Sequence, residues 1–157
     1  MYKKLLAILG LTLFSSAVLA QEENPFLGTW DIDMERSNFG SASVPGNISR
    51  SYADLGDGHY MFLVVTTNED GTVGATSASY DYSGEHFPMA SLDALPTPQI
   101  SYRRINETTV EYTVYLDGEV QQIGARFISP NYQQLSIAIQ FPNSTQEDQI
   151  LIFNKRS

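Results

Sequence analysis

From residue 27 onward the chain alternates apolar and polar positions in short runs, and helical spacing is nearly absent. The runs fall at roughly 27–34, 49–54, 59–67, 72–83, 98–105, 108–116, 119–129, 132–141 and 147–155. Turn chemistry separates them: Gly56-Asp57-Gly58, Glu69-Asp70-Gly71, Ser83-Gly84, Asn106-Glu107, Asp117-Gly118 and Pro142-Asn143-Ser144. Short strands in hairpin succession predict an all-β fold, a single antiparallel up-and-down β-barrel of about 8–10 strands. A two-sheet sandwich is the rival arrangement.

One hairpin allows its register to be predicted. Asp117-Gly118 is a type I′ turn signal, because both residues tolerate positive φ. A two-residue loop pairs Leu116 with Glu119, Val114 with Gln121, Tyr112 with Ile123 and Val110 with Ala125. That register places Val110, Tyr112, Val114, Ile123 and Phe127 inside, and Thr109, Glu111, Thr113, Gln122 and Arg126 outside. The next run puts Leu135, Ile137, Ile139 and Phe141 on one face. Met61 to Val65 and Ile150 to Phe153 are apolar throughout, so alternation assigns them no inside.

Two long segments do not alternate, residues 37–48 and 86–97. Loops of that length in a compact domain are usually functional or mobile. Phe39, Val44, Phe87, Met89, Leu92 and Leu95 give them enough apolar surface to gate a cavity as lids or to fill it as packing.

The beginning of the chain reads as a targeting segment. Lys3 and Lys4 precede an apolar run from Leu5 to Phe14, and Val18-Leu19-Ala20 supplies small residues for cleavage. The expectation is a bacterial signal peptide over 1–20, cleavage after Ala20, a barrel domain over 21–157 and a periplasmic or secreted product. The apolar run is short for a membrane span, so no integral span is expected after cleavage. Without Lys3 and Lys4, 7 basic residues face 18 acidic ones, a formal charge of −11. Such a surface repels phosphate backbones and argues against a nucleic-acid partner. The chain has no cysteine, which excludes disulfides and thiolate chemistry and leaves burial and backbone pairing to hold the fold.

Several short motifs follow in order: Gly28-Thr29-Trp30, Arg36-Ser37-Asn38-Phe39-Gly40, Gly56-Asp57-Gly58, Tyr80 to Pro88, Arg103-Arg104-Ile105, Thr109-Val110-Glu111, Asp117-Gly118, Ser129 to Tyr132 and Phe153 to Arg156. That order resembles a family of small exported bacterial lipocalin-like (calycin) proteins. The late turn departs from the family rhythm at Asn131-Tyr132, and the segment from Tyr80 is lengthened. The resemblance implies a barrel closed at one end by Gly28, Trp30 and Arg156. There Trp30 would receive Arg156, with Lys155 as substitute, a cation–π contact worth ~0.5–2 kcal/mol.

Catalytic and metal chemistry find little support. His59 and His86 lack metal-spaced partners, and no nucleophile motif stands out. Asp31, Asp33 and Glu35 share one strand face, read as the polar exterior opposite Trp30, Ile32 and Met34. No catalytic residue, metal or cofactor is therefore assigned.

The function expected is non-catalytic binding of a small, largely apolar molecule in the barrel cavity. Tyr112, Val110, Ile123, Phe127, Ile137 and Ile139 would line it, with Tyr102 and Arg104 as polar anchors. Two alternatives remain. A structural or interaction module with a filled barrel would show a cavity below ~300 Å³. A calycin-pocket enzyme, an isomerase or hydrolase, would place a carboxylate or His59 beside the tyrosines.

Overall fold

The structure, a computed structural model, describes residues 24–92 and 97–157. The targeting segment read over 1–20 and Leu95 lie outside the described residues. The fold is all-β. Its strands are β1 (Gly28–Ile32), β2 (Asn47–Gly56), β3 (His59–Thr67), β4 (Val73–Tyr80), β5 (Phe87–Pro88), β6 (Ala90–Ser91), β7 (Gln99–Asn106), β8 (Thr109–Leu116), β9 (Glu119–Ile128), β10 (Gln134–Gln140) and β11 (Gln149–Lys155). They form one antiparallel sheet in the order β5-β7-β8-β9-β10-β11-β1-β2-β3-β4-β6. The nine long strands match the nine alternating runs, and the sheet curls into a nearly closed barrel rather than a sandwich.

Closure falls to the segment the alternation left unassigned. Phe87 and Pro88 pair with Ile100 and Gln99 of β7, while Ala90 and Ser91 pair with Ser77 and Thr76 of β4. Five residues thus bridge the two ends of the sheet. Phe87 and Met89 pack against the core, and Leu92 stays exposed.

The other long loop is sewn to the barrel wall. Asn38 bridges Ile150, Ile152 N–H donates to Ser37 Oγ at 2.9 Å, and Glu147 N–H donates to Ser41 Oγ at 3.1 Å. Phe39 enters the core, whereas Val44 is exposed.

The interior face follows the pleat. Ile48 and Tyr52 of β2, Tyr60 and Phe62 of β3, Ile100 and Tyr102 of β7, and Leu135, Ile137 and Ile139 of β10 are buried. The ambiguous runs resolve the same way: Leu151 and Phe153 point inward, and Leu63 and Ile150 outward.

The β8–β9 hairpin corrects the predicted register. Asp117 and Gly118 have φ of 51° and 82°, as a type I′ turn requires, and Leu116 pairs with Glu119. Beyond Tyr115–Val120, however, Val114 pairs with Gln122, Tyr112 with Gly124 and Val110 with Arg126. Gln121 is the extra residue of a β-bulge. One inserted residue transfers everything beyond it to the opposite face. Ile123 and Phe127, assigned to the interior, are therefore 40% and 44% exposed, while Arg126, assigned to the exterior, is 0% exposed.

The N-terminal turn seals one end. Trp30 is fully buried, and its Nε1–H donates to the Phe26 carbonyl at 2.9 Å. Lys155, not Arg156, lies over the indole, with Nζ 5.3 Å from the ring centroid. Successive residues leave a strand on opposite sides, and Lys155 is the one opposite Trp30 in the ladder. Arg156 instead grips Asp31 on the exterior, with Nε donating to Oδ2 at 2.8 Å.

Candidate functional site

Above the Trp30 end, the lumen holds a cavity of about 230 Å³. Phe62, Val64, Ile100, Val114, Ile139 and Met89 supply apolar walls, and Thr76, Gln122, Tyr102, Tyr112 and Arg50 supply polar groups. That volume falls below the ~300 Å³ typical of ligand pockets. The lumen is thus partly filled, and the space left is that of a small molecule.

Its most unusual neighbour is Arg126. The guanidinium is wholly buried, and its carbon lies 4.5 Å from the ring centroid of Tyr102, 4.7 Å from Tyr52, 5.2 Å from Phe26 and 5.6 Å from Tyr80. None of its three nitrogens makes a hydrogen bond of normal geometry among the described residues, nor do Arg50 Nε and Tyr52 Oη, although the Tyr52 and Tyr80 hydroxyls stand close enough to feel the guanidinium. Ring faces attract a cation, but they do not replace the five acceptors a guanidinium seeks.

No Asp or Glu is buried among the described residues. The chain carries a formal charge of −9, yet the charges directed into its lumen are positive. Arg50 lines the cavity itself. Arg126 lies beyond Tyr102, whose ring borders the cavity and also stacks under that guanidinium.

The phenols respond to this field. Burial pushes Tyr102, Tyr112 and Tyr80 upward, so they stay protonated. Burial also acts on Tyr52, but Arg50 and Arg126 outweigh it and hold that phenol below its usual range.

Of the residues singled out in the sequence, Tyr112, Tyr102 and Ile139 line the cavity. Val110 and Ile137 are buried beside Arg126 in the ladder. Ile123 and Phe127 face outward for the reason given above. Arg104 shares the inward side of Tyr102 but sits exposed at the rim, over the Tyr82 ring and donating to Asn24 Oδ1 at 3.2 Å.

Sequence reasoning missed Arg50, Gln122 and Arg126. Arg50 was within reach, since Ile48, Arg50 and Tyr52 share one side of β2. The other two depend on the bulge.

Asp31, Asp33 and Glu35 do not converge. Asp31 binds Arg156, whose hydrogen bond holds the Asp31 carboxyl below its usual range, and Asp33 Oδ1 accepts from Arg36 N–H at 3.2 Å.

No family sequence profile matches the chain, and no characterised protein is recognisably similar to it in sequence. Solved structures do share its fold. A Schistosoma mansoni fatty acid binding protein in complex with arachidonic acid superposes with a TM-score of 0.63 at 14% identity, covering 85% of this chain and 97% of that one. A point mutant of the fluorescent protein UnaG gives 0.60 at 15% identity, with the same two coverages of 85% and 97%. As-p18, an extracellular fatty acid binding protein, gives 0.58 at 13% identity, again covering 85% and 97%. The architecture is that of the calycin-like, fatty-acid-binding-protein barrels.

Proposed function

We propose that the barrel binds a compact, largely apolar acid. Its chain occupies the cavity above Tyr102 and Tyr112, and its anionic group meets Arg50 in the field of Arg126. The observation carrying this reading is the unpaired positive charge of the lumen, set against an acidic exterior. A buried cation without a counter-charge is costly, and a ligand oxyanion would supply what the chain does not. Two of the proteins that share the fold are fatty acid binding proteins, which supports an apolar acid in general.

The size sets this ligand apart from a long-chain acid. At ~30 Å³ per water-sized group, the cavity holds roughly eight heavy atoms. Calorimetric titration with saturated acids of about six to sixteen carbons, against the matching primary alcohols, tests both points. Affinity should peak near six to eight carbons, and acids should exceed alcohols about tenfold or more, since a charge-assisted hydrogen bond contributes ~1.5–3 kcal/mol. Association should quicken with added salt, which screens the acidic exterior from the approaching anion. Alcohols binding as tightly as acids would overturn the proposal.

The sub-300 Å³ volume favours a second reading, a filled barrel acting through its surface. Absence of binding across the whole series would establish that one instead.

The reading is non-catalytic. His59 is exposed, and among the described residues no carboxylate is buried beside the tyrosines. We also propose export to the periplasm or beyond, as a member of a small bacterial lipocalin-like family, on the pattern of residues 1–20. Protein recovered from its host should then begin at Gln21, and a retained Met1 would overturn export by this route.

A further inference from the structure

Gly124 sits in the middle of β9 on the inner face, directly opposite Tyr112. It does not have a positive φ, so the backbone does not require glycine there. In a strand interior such a glycine forfeits packing and often marks a close approach by another group. Here that group is Tyr112. A Cβ at position 124 would clash with its Cζ, Cε1 and Oη.

The ring lies along β9 from Gly124 towards Gln122, whose Nε2–H donates to Tyr112 Oη at 2.7 Å. Among the described residues its aromatic neighbour is Tyr102, with centroids 5.8 Å apart. Tyr102 by contrast is wedged among Phe62, Tyr80 and Tyr112. Tyr112 is thus held by fewer ring contacts than Tyr102, and it borders the cavity.

We propose that Gly124 is the size determinant of the ligand site: it stores the Tyr112 ring flat against the wall, and a side chain there drives that ring into the lumen. Tyr102 blocks one side and β9 another, so the cavity is the space left to a displaced ring. A phenol ring has nearly as many heavy atoms as the cavity accommodates, so the displaced ring excludes the ligand by self-occupancy. The atoms in conflict belong to the far end of a flexible side chain, so the barrel survives the change. The ligand consequence rests on the acid-binding reading. The position of the ring does not.

The test pairs Gly124→Ala with the double variant Gly124→Ala/Tyr112→Ala, using octanoate by calorimetry and xenon by NMR as an uncharged probe of empty apolar space. Gly124→Ala should weaken octanoate binding at least tenfold and lose xenon uptake while its melting temperature stays within a few degrees of wild type. The double variant should regain both and favour acids longer by several carbons. Wild-type protein that takes up xenon but no acid of any length defeats the acid reading and leaves the xenon comparison to decide this one. Xenon uptake by Gly124→Ala equal to wild type, no uptake by wild type, or no recovery in the double variant overturns the size-determinant role.

Discussion

Arg126→Met should raise the unfolding free energy by about 1–4 kcal/mol while narrowing the preference for acids over alcohols, the part carried by Arg50 remaining. The stabilisation follows from what surrounds the guanidinium. Removing an ion from water costs several kcal/mol after relaxation, and each buried donor left without an acceptor adds ~1–3 kcal/mol. Arg126 carries three such nitrogens. The opposing term is cation–π attraction to four rings, each worth ~0.5–2 kcal/mol. Those contributions overlap, because a cation cannot sit ideally over four faces, and centroid distances of 4.5–5.6 Å show that it does not.

Methionine is shorter but flexible and of nearly the same volume, and it offers a polarisable sulfur to the same rings. Desolvation therefore wins, and the variant is the more stable protein. Urea unfolding at pH 7 measures it, read beside the acid and alcohol titrations. A loss of stability greater than about 1 kcal/mol would mean that the guanidinium is a structural post among the tyrosines, and would remove the argument that it awaits an anion.

That a buried charge sits behind the ring bordering the cavity explains why the site was harder to read from sequence than the barrel. Fold class followed from strand alternation and turn residues, which are local signals. Even the continuous apolar strands β3 and β11 took their places, since their neighbours fixed which side faced in.

The site depended on something less local. Val110, Tyr112 and Val114 alternate cleanly on β8, and a two-residue turn carried that face across to Ile123 and Phe127. The predicted interior looked more apolar than the real one. A single extra residue, Gln121, reversed β9 and brought Gln122, Gly124 and Arg126 inside. The reversal cannot come from hydrophobicity alone, because it exposes a phenylalanine and buries an arginine. Such an exchange of stability for chemistry is where pattern reasoning should fail at a functional site. The assignment of Arg104 failed differently. Its parity was right, but its height in the barrel, level with the N-terminal plug, was invisible without coordinates.

Trp30→Ala should cost ~3–5 kcal/mol and lower Tm by roughly 10–20 °C, the largest loss from any one residue at the sealed end. The indole is wholly enclosed, so truncation leaves a cavity that the β1, β2 and β11 ladders cannot collapse to fill. It also removes the 2.9 Å hydrogen bond to the Phe26 carbonyl. A loss of that size is a large part of the 5–15 kcal/mol that holds a typical domain.

The flanking cations should matter far less, and in a definite order. Lys155→Ala forfeits a cation–π contact at a solvent-facing edge, ~0.5–1 kcal/mol. Arg156→Ala removes only an exposed pair with Asp31, so its effect should be smaller still and should fade with salt. It should also vanish in acid. The Asp31 carboxyl is depressed in the folded protein, so the pair's contribution is present above the unfolded carboxyl value near 3.9 and is lost as pH falls through the folded one.

Urea unfolding of the three variants at pH 7 and in acid checks the order. An Arg156→Ala penalty exceeding that of Lys155→Ala would restore Arg156 to the closing role that the lipocalin resemblance implied. Because Phe26 forms one wall around Arg126, Trp30→Phe, which spares most of the volume but not the hydrogen bond, should loosen that wall and narrow the gap between acids and alcohols. The sealed end would then act on ligand chemistry through the turn it anchors.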